Sequence, residues 1–300
     1  MDTQLHRREF LAASVAVLSC LPEMVEASAD KVNHPSLQGV VAITTGGGVG
    51  EQRQRGELNL LTLPKYIREK LGMRFIDVNT RWFTSYKADY LRRVREAASD
   101  AGCVFTNLKV NHAFGDLYSR DAIERRSAML AAKKMVDVAS VLGARWIRFP
   151  LRKSQAAKPD SHRQLAAYAE PFGIQLLIEN GGGQTDPLSV TIAVKAIGRN
   201  VAACPDTGNW ADAARAEGLR KSFPAAASCD FKVFELDTRG QHPKYDLKEC
   251  FDIGWNAGFR GPWVIEHMKP QTENFVRDTI LIRDKLKSWV AKAEHGEPEN

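Results

Sequence analysis

Residues 174–206 read IQLLIENGGGQTDPLSVTIAVKAIGRNVAACPD, and this stretch decides the fold. It begins with an apolar run that ends at Glu179 and continues into three glycines. The segment 187–197 follows, and its proline in the first turn favours a helix. A second apolar run, 201–204, ends shortly before Asp206. A strand, a helix and a strand in this order predict a parallel βαβ unit.

The same alternation continues on both sides of this unit. Apolar and β-branched runs predict eight strands, at 39–44, 74–79, 103–110, 144–149, 174–180, 201–204, 229–234 and 263–267. Predicted helices cover 60–71, 87–101, 121–142, 161–172, 187–197, an irregular stretch up to residue 227, 246–257 and 272–293. The glycines at 46–48 are interpreted as a flexible loop. The strands are apolar on both faces, as parallel strands covered by helices require.

Eight βα units predict an α/β protein with a (β/α)8 TIM barrel. The alternative is a doubly wound open sheet, which normally has a glycine-rich phosphate loop after its first strand. The sequence GGGVG at 46–50 imitates that G-x-G-x-x-G pattern only loosely. We therefore expect a single barrel domain over residues 30–293 and a frayed polar tail at 294–300.

Residues 1–29 have the three parts of an export signal. Arg7 and Arg8 precede an apolar segment at 10–21, and the small residues at 27–29 form a cleavage site. Paired arginines followed by Phe and Leu look like a twin-arginine signal. The apolar segment is short for a membrane span. These features predict export to the periplasm or out of the cell, with no stable membrane span once the signal is removed.

Charge and cysteine content narrow the class of partner. The net charge is +6, and it becomes +8 without residues 1–29, which carry two arginines and four acidic residues. The positive charges are scattered, which argues against a nucleic-acid-binding tail and allows at most a preference for anionic ligands. The four cysteines after residue 29 contain no C-x-x-C pair and are expected to be buried thiols. Lipid attachment at Cys20 and assembly into a homo-oligomer both stay open.

Acidic residues stand at or near the ends of the last four predicted strands. They are Glu179, Asp206, Asp230 and Glu266. In a barrel, the carboxyl ends of the strands meet on one face, so these four side chains are expected to converge. Converging carboxylates repel one another, and a divalent metal is the simplest positive charge to place among them.

Other polar residues near the strand ends complete the candidate site. We expect Lys109, His112, Arg148 and Asn209 to bind substrate, and Lys232 to act in catalysis. So many polar groups are hard to explain by folding alone, because a buried polar group is costly unless it is paired.

A purely structural interpretation is the alternative for the same residues. Glu179 and Glu266 would then form salt bridges with Arg148 or Lys232, and Asp230 would pair with Lys232. A capping role for Asp206 in the following turn is equally consistent with its position, because Asp suits such positions.

Five segments together resemble the xylose isomerase-like TIM barrels, a family of sugar and sugar-phosphate isomerases and epimerases. The segments are SRDAIERRSAMLAAKKMVDVASVLGARWIRFP at 119–150, LLIENGGG at 176–183, PDTGNW at 205–210, DFKVFELD at 230–237 and WVIEHM at 263–268. The resemblance extends over about residues 36–290. Each motif alone is weak, but their order and spacing are fairly specific.

The resemblance implies roles for individual residues. Glu179, Asp206 and Glu266 match the positions that bind a divalent cation in the family, often Mn²⁺, Mg²⁺, Co²⁺ or Zn²⁺. In the epimerases of the family, the two glutamates also move the substrate proton. This chain has Asp230 where the family usually has a histidine, and Asn209 where it often has another. An all-oxygen ligand set favours Mn²⁺, Mg²⁺ or Ca²⁺ over Zn²⁺ and leaves open that the metal has been lost.

We therefore expect an exported, metal-dependent sugar isomerase or epimerase that moves a proton next to a carbonyl, with Mn²⁺ or Mg²⁺ as its cofactor. A sugar lyase begins with the same step and is an alternative. A carbohydrate-binding barrel without catalysis, which has lost the metal, is another. Phosphodiester hydrolysis, as in the endonuclease IV relatives of this barrel, would need a cluster of zinc-binding histidines, and few histidines lie at strand ends.

Overall fold

The computed structural model describes residues 36–54, 58–111, 117, 119–150, 159–268 and 272–296. The predicted export signal and Cys20 lie outside these residues. In the described part, the eight strands are β1 Val41–Thr44, β2 Phe75–Asn79, β3 Val104–Lys109, β4 Trp146–Pro150, β5 Gln175–Glu179, β6 Val201–Cys204, β7 Cys229–Phe234 and β8 Trp263–Met268. The α-helices are α1 Gly47–Gln54, α2 Leu63–Leu71, α3 Ala88–Asp100, α4 Ala122–Leu142, α5 Asp160–Ala169, α6 Ser189–Ile197, α7 Asp212–Ser222, α8 Leu247–Asn256 and α9 Thr272–His295.

All eight strands are parallel and form one sheet in the order β6-β5-β4-β3-β2-β1-β8-β7. Single bridges connect each end strand to the segment beside the other: Ala203 of β6 pairs with Ala226, just before β7, and Asp230 of β7 pairs with Asp206, just after β6. The backbone N–H of Asp230 also donates to the carbonyl of Pro205 at 2.9 Å. These contacts close the sheet into the (β/α)8 barrel that the sequence predicts.

The apolar core has two parts, one on each face of the sheet. The larger part lies between the strands and the helices around them, as in other barrels of this type. The smaller part fills the inside of the barrel and consists of Leu37, Trp146, Leu177, Ala202 and Cys204. Because side chains alternate along a strand, residues two positions after Trp146 and Leu177 also point inward. The apolar plug therefore forms the floor beneath a polar layer.

Helix ends follow the local signals in the sequence. Asp121 caps α4, and its carboxylate accepts hydrogen bonds from the backbone N–H groups of Ile123 and Glu124. Gly143 ends the same helix with a φ of 73°, a conformation that favours glycine. The other strand and helix boundaries differ from the predicted ones by a few residues. Differences of this size are common because helix ends fray and often finish in a short 3₁₀ turn.

The prediction of a flexible loop at residues 46–48 is wrong. A helix, α1, begins at Gly47 directly after β1. Gly47 has a φ of 52°, and a Cβ there would collide with the carbonyl oxygen of His267. Glycine is therefore used for close packing of α1 against β8, and not for flexibility.

The described cysteines, Cys103, Cys204, Cys229 and Cys250, are buried free thiols, as predicted. A search of the described helices for one long and apolar enough to cross a membrane finds none.

Candidate active site

The four acidic residues of the last four strands come together inside the barrel. One carboxylate oxygen from each of Glu179, Asp206, Asp230 and Glu266 lies within 4.8 Å of the others. Both aspartates are fully buried, whereas the side chains of Glu179 and Glu266 are 6% and 13% exposed. The two glutamates are thus less completely buried than the two aspartates.

Strand alternation explains why the cluster forms. Glu179 is the last residue of β5 and lies two positions after the inward-facing Leu177. Asp230 and Lys232 are two positions apart on β7, so both point inward. Glu266 lies next to the end of β1, where Gly46 leaves room for it: a Cβ there would be 3.2 Å from Glu266 Oε1.

Three buried cationic side chains lie among the carboxylates. Arg148 Nη1 is 2.8 Å from Glu179 Oε2, and Arg148 Nη2 is 4.0 Å from Asp230 Oδ2. Lys109 Nζ is 2.6 Å from Asp230 Oδ1. The third cation is the ammonium group of Lys232. The described cluster therefore holds four carboxylates and three cations inside the barrel. Asp230 is the second residue of β7, so it lies near the start of that strand and not near its end as expected.

The alternative in which Asp230 pairs with Lys232 is wrong. Asp230 instead binds Lys109, which reaches it across the barrel from β3. Lys232, on the same strand as Asp230, pairs with Asp206 Oδ2 at 2.8 Å and Glu266 Oε2 at 3.3 Å. The side chains of residues i and i+2 on one strand point the same way and lie side by side. A side chain from a strand across the barrel, such as that of Lys109, can therefore meet the Asp230 carboxylate end to end.

Replacing Asp230 by Asn is expected to destabilise the fold by about 3 to 5 kcal/mol, since Lys109 is 1% exposed and would lose its charged partner. Chemical denaturation of the two proteins measures this loss. Asp237 forms an ion pair with Arg239 on the surface, at 3.3 Å, and Asp237→Asn is the matched control with a change below about 1 kcal/mol. An equally small change in Asp230→Asn would show that the buried pair does not hold the barrel together.

The loop after β6 is held by side-chain amides. Asn180 Oδ1 accepts from the backbone N–H of Asp206 at 2.8 Å, and Asn209 Nδ2 donates to the carbonyl of Asn180 at 3.0 Å. Asp206 Oδ1 accepts from the backbone N–H groups of Gly208 and Asn209. One oxygen of Asp206 therefore caps the turn, and the other lies in the cluster beside Lys232.

Burial and neighbouring charges shift the acidic groups in opposite directions. Burial, together with the carboxylates of Asp230, Asp206 and Glu266, raises the pKa of Glu179 well above its ordinary value, although Arg148 opposes this. Burial also raises the pKa of Asp206 to about 7, against the effect of Lys232. For Glu266, burial alone would raise the pKa, but Lys232, Lys109 and Arg148 outweigh it and lower the pKa to about 2. Glu266 is thus an anion at neutral pH.

The cationic groups stay charged for the same reason. Burial by itself would lower the pKa of Lys109, yet Asp230 and Glu266 raise it above the ordinary value. Burial likewise opposes the charge of Lys232, and Asp206, Glu266 and Glu179 raise its pKa. Both ammonium groups are therefore available as fixed positive charges.

Sequence reasoning missed one acidic residue beneath the cluster. Asp77, in the middle of β2, accepts hydrogen bonds from Thr106 Oγ1 at 2.6 Å and Asn107 Nδ2 at 2.9 Å. The pairing of β2 with β3 shifts register beside Asp77, which lets two successive side chains of β3 reach one carboxylate. Burial raises the pKa of Asp77 to about 6. The available signal was an acidic residue in an otherwise apolar strand.

The predictions for His112 and His267 are tested to different degrees by the structure. His112 lies outside the described residues, so its expected role in substrate binding stays a prediction. His267 points away from the cluster, as expected from strand alternation, and its Nε2 is 3.5 Å from Asp278 Oδ2 of α9. Asn209, in contrast, joins the cluster: its Oδ1 accepts from Lys232 Nζ at 2.6 Å.

The oxygen atoms of the cluster fit a divalent cation. Three buried carboxylate oxygens, Asp206 Oδ2, Asp230 Oδ2 and Glu266 Oε2, accept no well-aligned hydrogen bond within the described part of the chain. Mg²⁺, Mn²⁺ and Ca²⁺ prefer oxygen ligands of this kind. The residues present can therefore hold such an ion, with Glu179 as the fourth carboxylate.

Comparison with solved structures gives the same fold in several proteins. A xylose isomerase domain protein from Planctomyces limnophilus is 16% identical with a TM-score of 0.62, covering 86% of this chain and 100% of its own. The 3-keto-D-glucoside 4-epimerase YcjR from E. coli is 12% identical with a TM-score of 0.61, covering 84% of this chain and 98% of its own. The IolI protein, solved with a zinc atom, is 17% identical with a TM-score of 0.61, covering 84% and 98%.

A sequence comparison with curated proteins finds no match. The profile of one protein family does match, over residues 67–284, which is more than half of the chain. That family is described as the xylose isomerase-like TIM barrel, in agreement with the barrel and with the motifs at the ends of its strands. The chain belongs to the xylose isomerase-like TIM barrel family.

Proposed function

We propose that this protein is a sugar isomerase or epimerase that moves a proton at the carbon next to a carbonyl group. The observation that carries the proposal is the cluster itself: four carboxylates within 4.8 Å, interleaved with three buried cations, at the catalytic end of a barrel. Among the similar structures are a 3-keto-D-glucoside 4-epimerase and a D-psicose 3-epimerase solved in the presence of D-fructose, which supports a carbohydrate substrate.

We assign the proton transfer to the two glutamates. Glu179 and Glu266 are less completely buried than the two aspartates, which favours the glutamates as the groups that contact a sugar. One glutamate removes the proton beside the carbonyl, and the electron pair of that C–H bond moves toward the carbonyl oxygen to give an enediolate. The other glutamate then returns a proton to carbon, which completes an epimerisation or isomerisation.

The cations of the cluster stabilise the charge that this step creates. Lys232 Nζ lies 3.3 Å from Glu266 Oε2, so it is close to the place where the enediolate oxygen develops. Arg148, bound to Glu179 and to Asn111 Oδ1 at 2.8 Å each, fixes the position of the second glutamate. Lys109 neutralises the buried carboxylate of Asp230.

We further propose that a divalent cation, Mn²⁺ or Mg²⁺, binds to Glu179, Asp206, Asp230 and Glu266. When bound, such an ion acts as a Lewis acid that polarises the carbonyl group of the sugar. The three carboxylate oxygens without well-aligned hydrogen bonds support this assignment. Export through the twin-arginine signal at residues 1–29 is part of the same proposal, and it places the reaction in the periplasm or outside the cell.

The test is a panel of free and oxidised sugars, incubated with the protein in heavy water with and without Mn²⁺. We expect one class of sugar to exchange the proton beside its carbonyl for deuterium, as seen in the proton NMR spectrum, and to yield an epimer or isomer. An unsaturated product that absorbs ultraviolet light would instead identify a lyase. Binding of a sugar without any exchange would show a carbohydrate-binding barrel and refute the proposed catalysis.

A further inference from the structure

The ammonium group of Lys232 bridges two carboxylates of the cluster. Its Nζ is 2.8 Å from Asp206 Oδ2 and 3.3 Å from Glu266 Oε2, and it donates to Asn209 Oδ1 at 2.6 Å. The same two carboxylate oxygens accept no well-aligned hydrogen bond from the described residues. Lys232 is therefore the main positively charged partner of Asp206 Oδ2 and Glu266 Oε2.

The side chain of Lys232 is held in this position by close packing. Its aliphatic part lies against Gly208, where a Cβ would be 2.6 Å from Lys232 Cδ. Its backbone N–H donates to Thr207 Oγ1 at 2.9 Å, and its carbonyl accepts from the hydroxyl of Tyr245 at 2.7 Å. A lysine whose backbone and aliphatic part are already held in place loses little freedom when its ammonium group binds the two carboxylates.

We propose that Lys232 is a built-in competitor of the divalent metal, which must displace its ammonium group from Asp206 and Glu266 in order to bind. The inference rests on the metal site of the proposed function, since these two residues are half of the proposed ligand set. A cation and a positively charged side chain cannot share the same two oxygens without strong repulsion at this distance. Asn209 offers the displaced ammonium group a neutral oxygen at the edge of the cluster.

Two consequences follow for the protein. Without metal, the carboxylates at 206 and 266 already have a counter-charge, so the barrel stays folded when the metal is removed. With metal, part of the binding energy is used to displace the ammonium group, so the affinity is lower than the carboxylate ligands alone would produce. The chain thus has a metal site whose occupancy depends on the metal concentration around it.

The experiment compares Mn²⁺ binding by wild-type protein, Lys232→Met and Lys232→Gln, using calorimetry on metal-free samples. We expect both variants to bind Mn²⁺ at least about tenfold more tightly, because a unit charge close to the ion is removed. Lys221→Met is the matched control, since Lys221 pairs with Glu217 on the surface at 3.1 Å, and its affinity should equal that of wild type. Affinities in the Lys232 variants that equal or fall below the wild-type value would overturn the proposal.

Whether the Lys232 variants fold also distinguishes a competitor of the metal from a purely structural lysine. If Lys232→Met is folded only in the presence of Mn²⁺, metal and ammonium are interchangeable and the proposal is supported. If neither variant folds even with Mn²⁺, Lys232 is a structural residue and the proposal is overturned. Binding is measured without any sugar, so a protein that binds Mn²⁺ but exchanges no sugar proton would refute the isomerase proposal and leave this one intact.

Discussion

Glu266→Gln is expected to lower kcat by about 10²- to 10⁴-fold, the usual contribution of a residue that transfers a proton. The side chain of Glu266 is the least buried of the four acidic side chains, at 13% exposed, and its pKa is lowered to about 2, so its carboxylate is unprotonated at neutral pH. Glutamine has almost the same shape but cannot take a proton from carbon. The stability of the fold should change little, because Lys232 keeps its stronger contact with Asp206.

The measurement is the steady-state rate with the sugar that the panel identifies, together with the thermal unfolding of each protein. Glu217→Gln is a suitable control, because Glu217 also pairs with lysine and arginine side chains but lies on the surface. The control should keep the wild-type rate. Full activity in Glu266→Gln would remove this glutamate from the mechanism.

Glu179→Gln is expected to cause a loss of similar size, with a different isotopic signature. In an epimerase, each glutamate would exchange the proton on one face of the reacting carbon. A variant that lacks one glutamate therefore keeps proton exchange with one epimer and loses it with the other. Glu179→Gln and Glu266→Gln should therefore show opposite preferences. Arg148 would also lose its 2.8 Å ion pair with Glu179, so this variant should be less stable by a few kcal/mol.

Deuterium incorporation into each epimer, followed separately, measures this preference. Glu170→Gln supplies the control, since Glu170 forms an ion pair with Arg199 at 2.7 Å on the surface. Its exchange with both epimers and its stability should match those of wild type. The same preference in both active-site variants would contradict a mechanism with two glutamates on opposite faces.

Much of the barrel could be predicted, because each strand carries its own local signals. The βαβ unit at 174–206 has an apolar strand, glycine turns and a helix that begins after a proline, and all three lie within a few residues of the predicted positions. Parallel strands that alternate with helices along the chain have few alternative arrangements. The barrel fold alone predicts that Glu179, Asp206, Asp230 and Glu266 converge, and the structure confirms that they do.

The partners within the cluster could not be predicted, because they depend on side chains that meet across the barrel. Lys109 and Asp230 are 121 positions apart in the chain, and nothing local to either residue indicates the contact. Asp77 was missed for a related reason, since its partners become available only through the register shift with β3. The start of α1 at Gly47 could not be predicted, because close packing and flexibility both select glycine.

Asp230 changes the character of the site relative to the family pattern. A histidine at that position would be neutral, whereas Asp230 adds a negative charge that Lys109 and Arg148 compensate. The cluster therefore carries its own cations in addition to carboxylate oxygens that could hold a metal. This internal charge balance keeps four buried carboxylates together, which repulsion would otherwise separate.

The most direct test of proton transfer by the cluster is deuterium incorporation by wild-type protein and by the double variant Glu179→Gln with Glu266→Gln. Both proteins are incubated in heavy water with Mn²⁺ and the sugar found by the panel. We expect deuterium at the carbon beside the carbonyl with wild type, and none above the uncatalysed background with the folded double variant. Deuterium incorporation by the double variant at the wild-type rate would contradict the assignment of catalysis to these carboxylates.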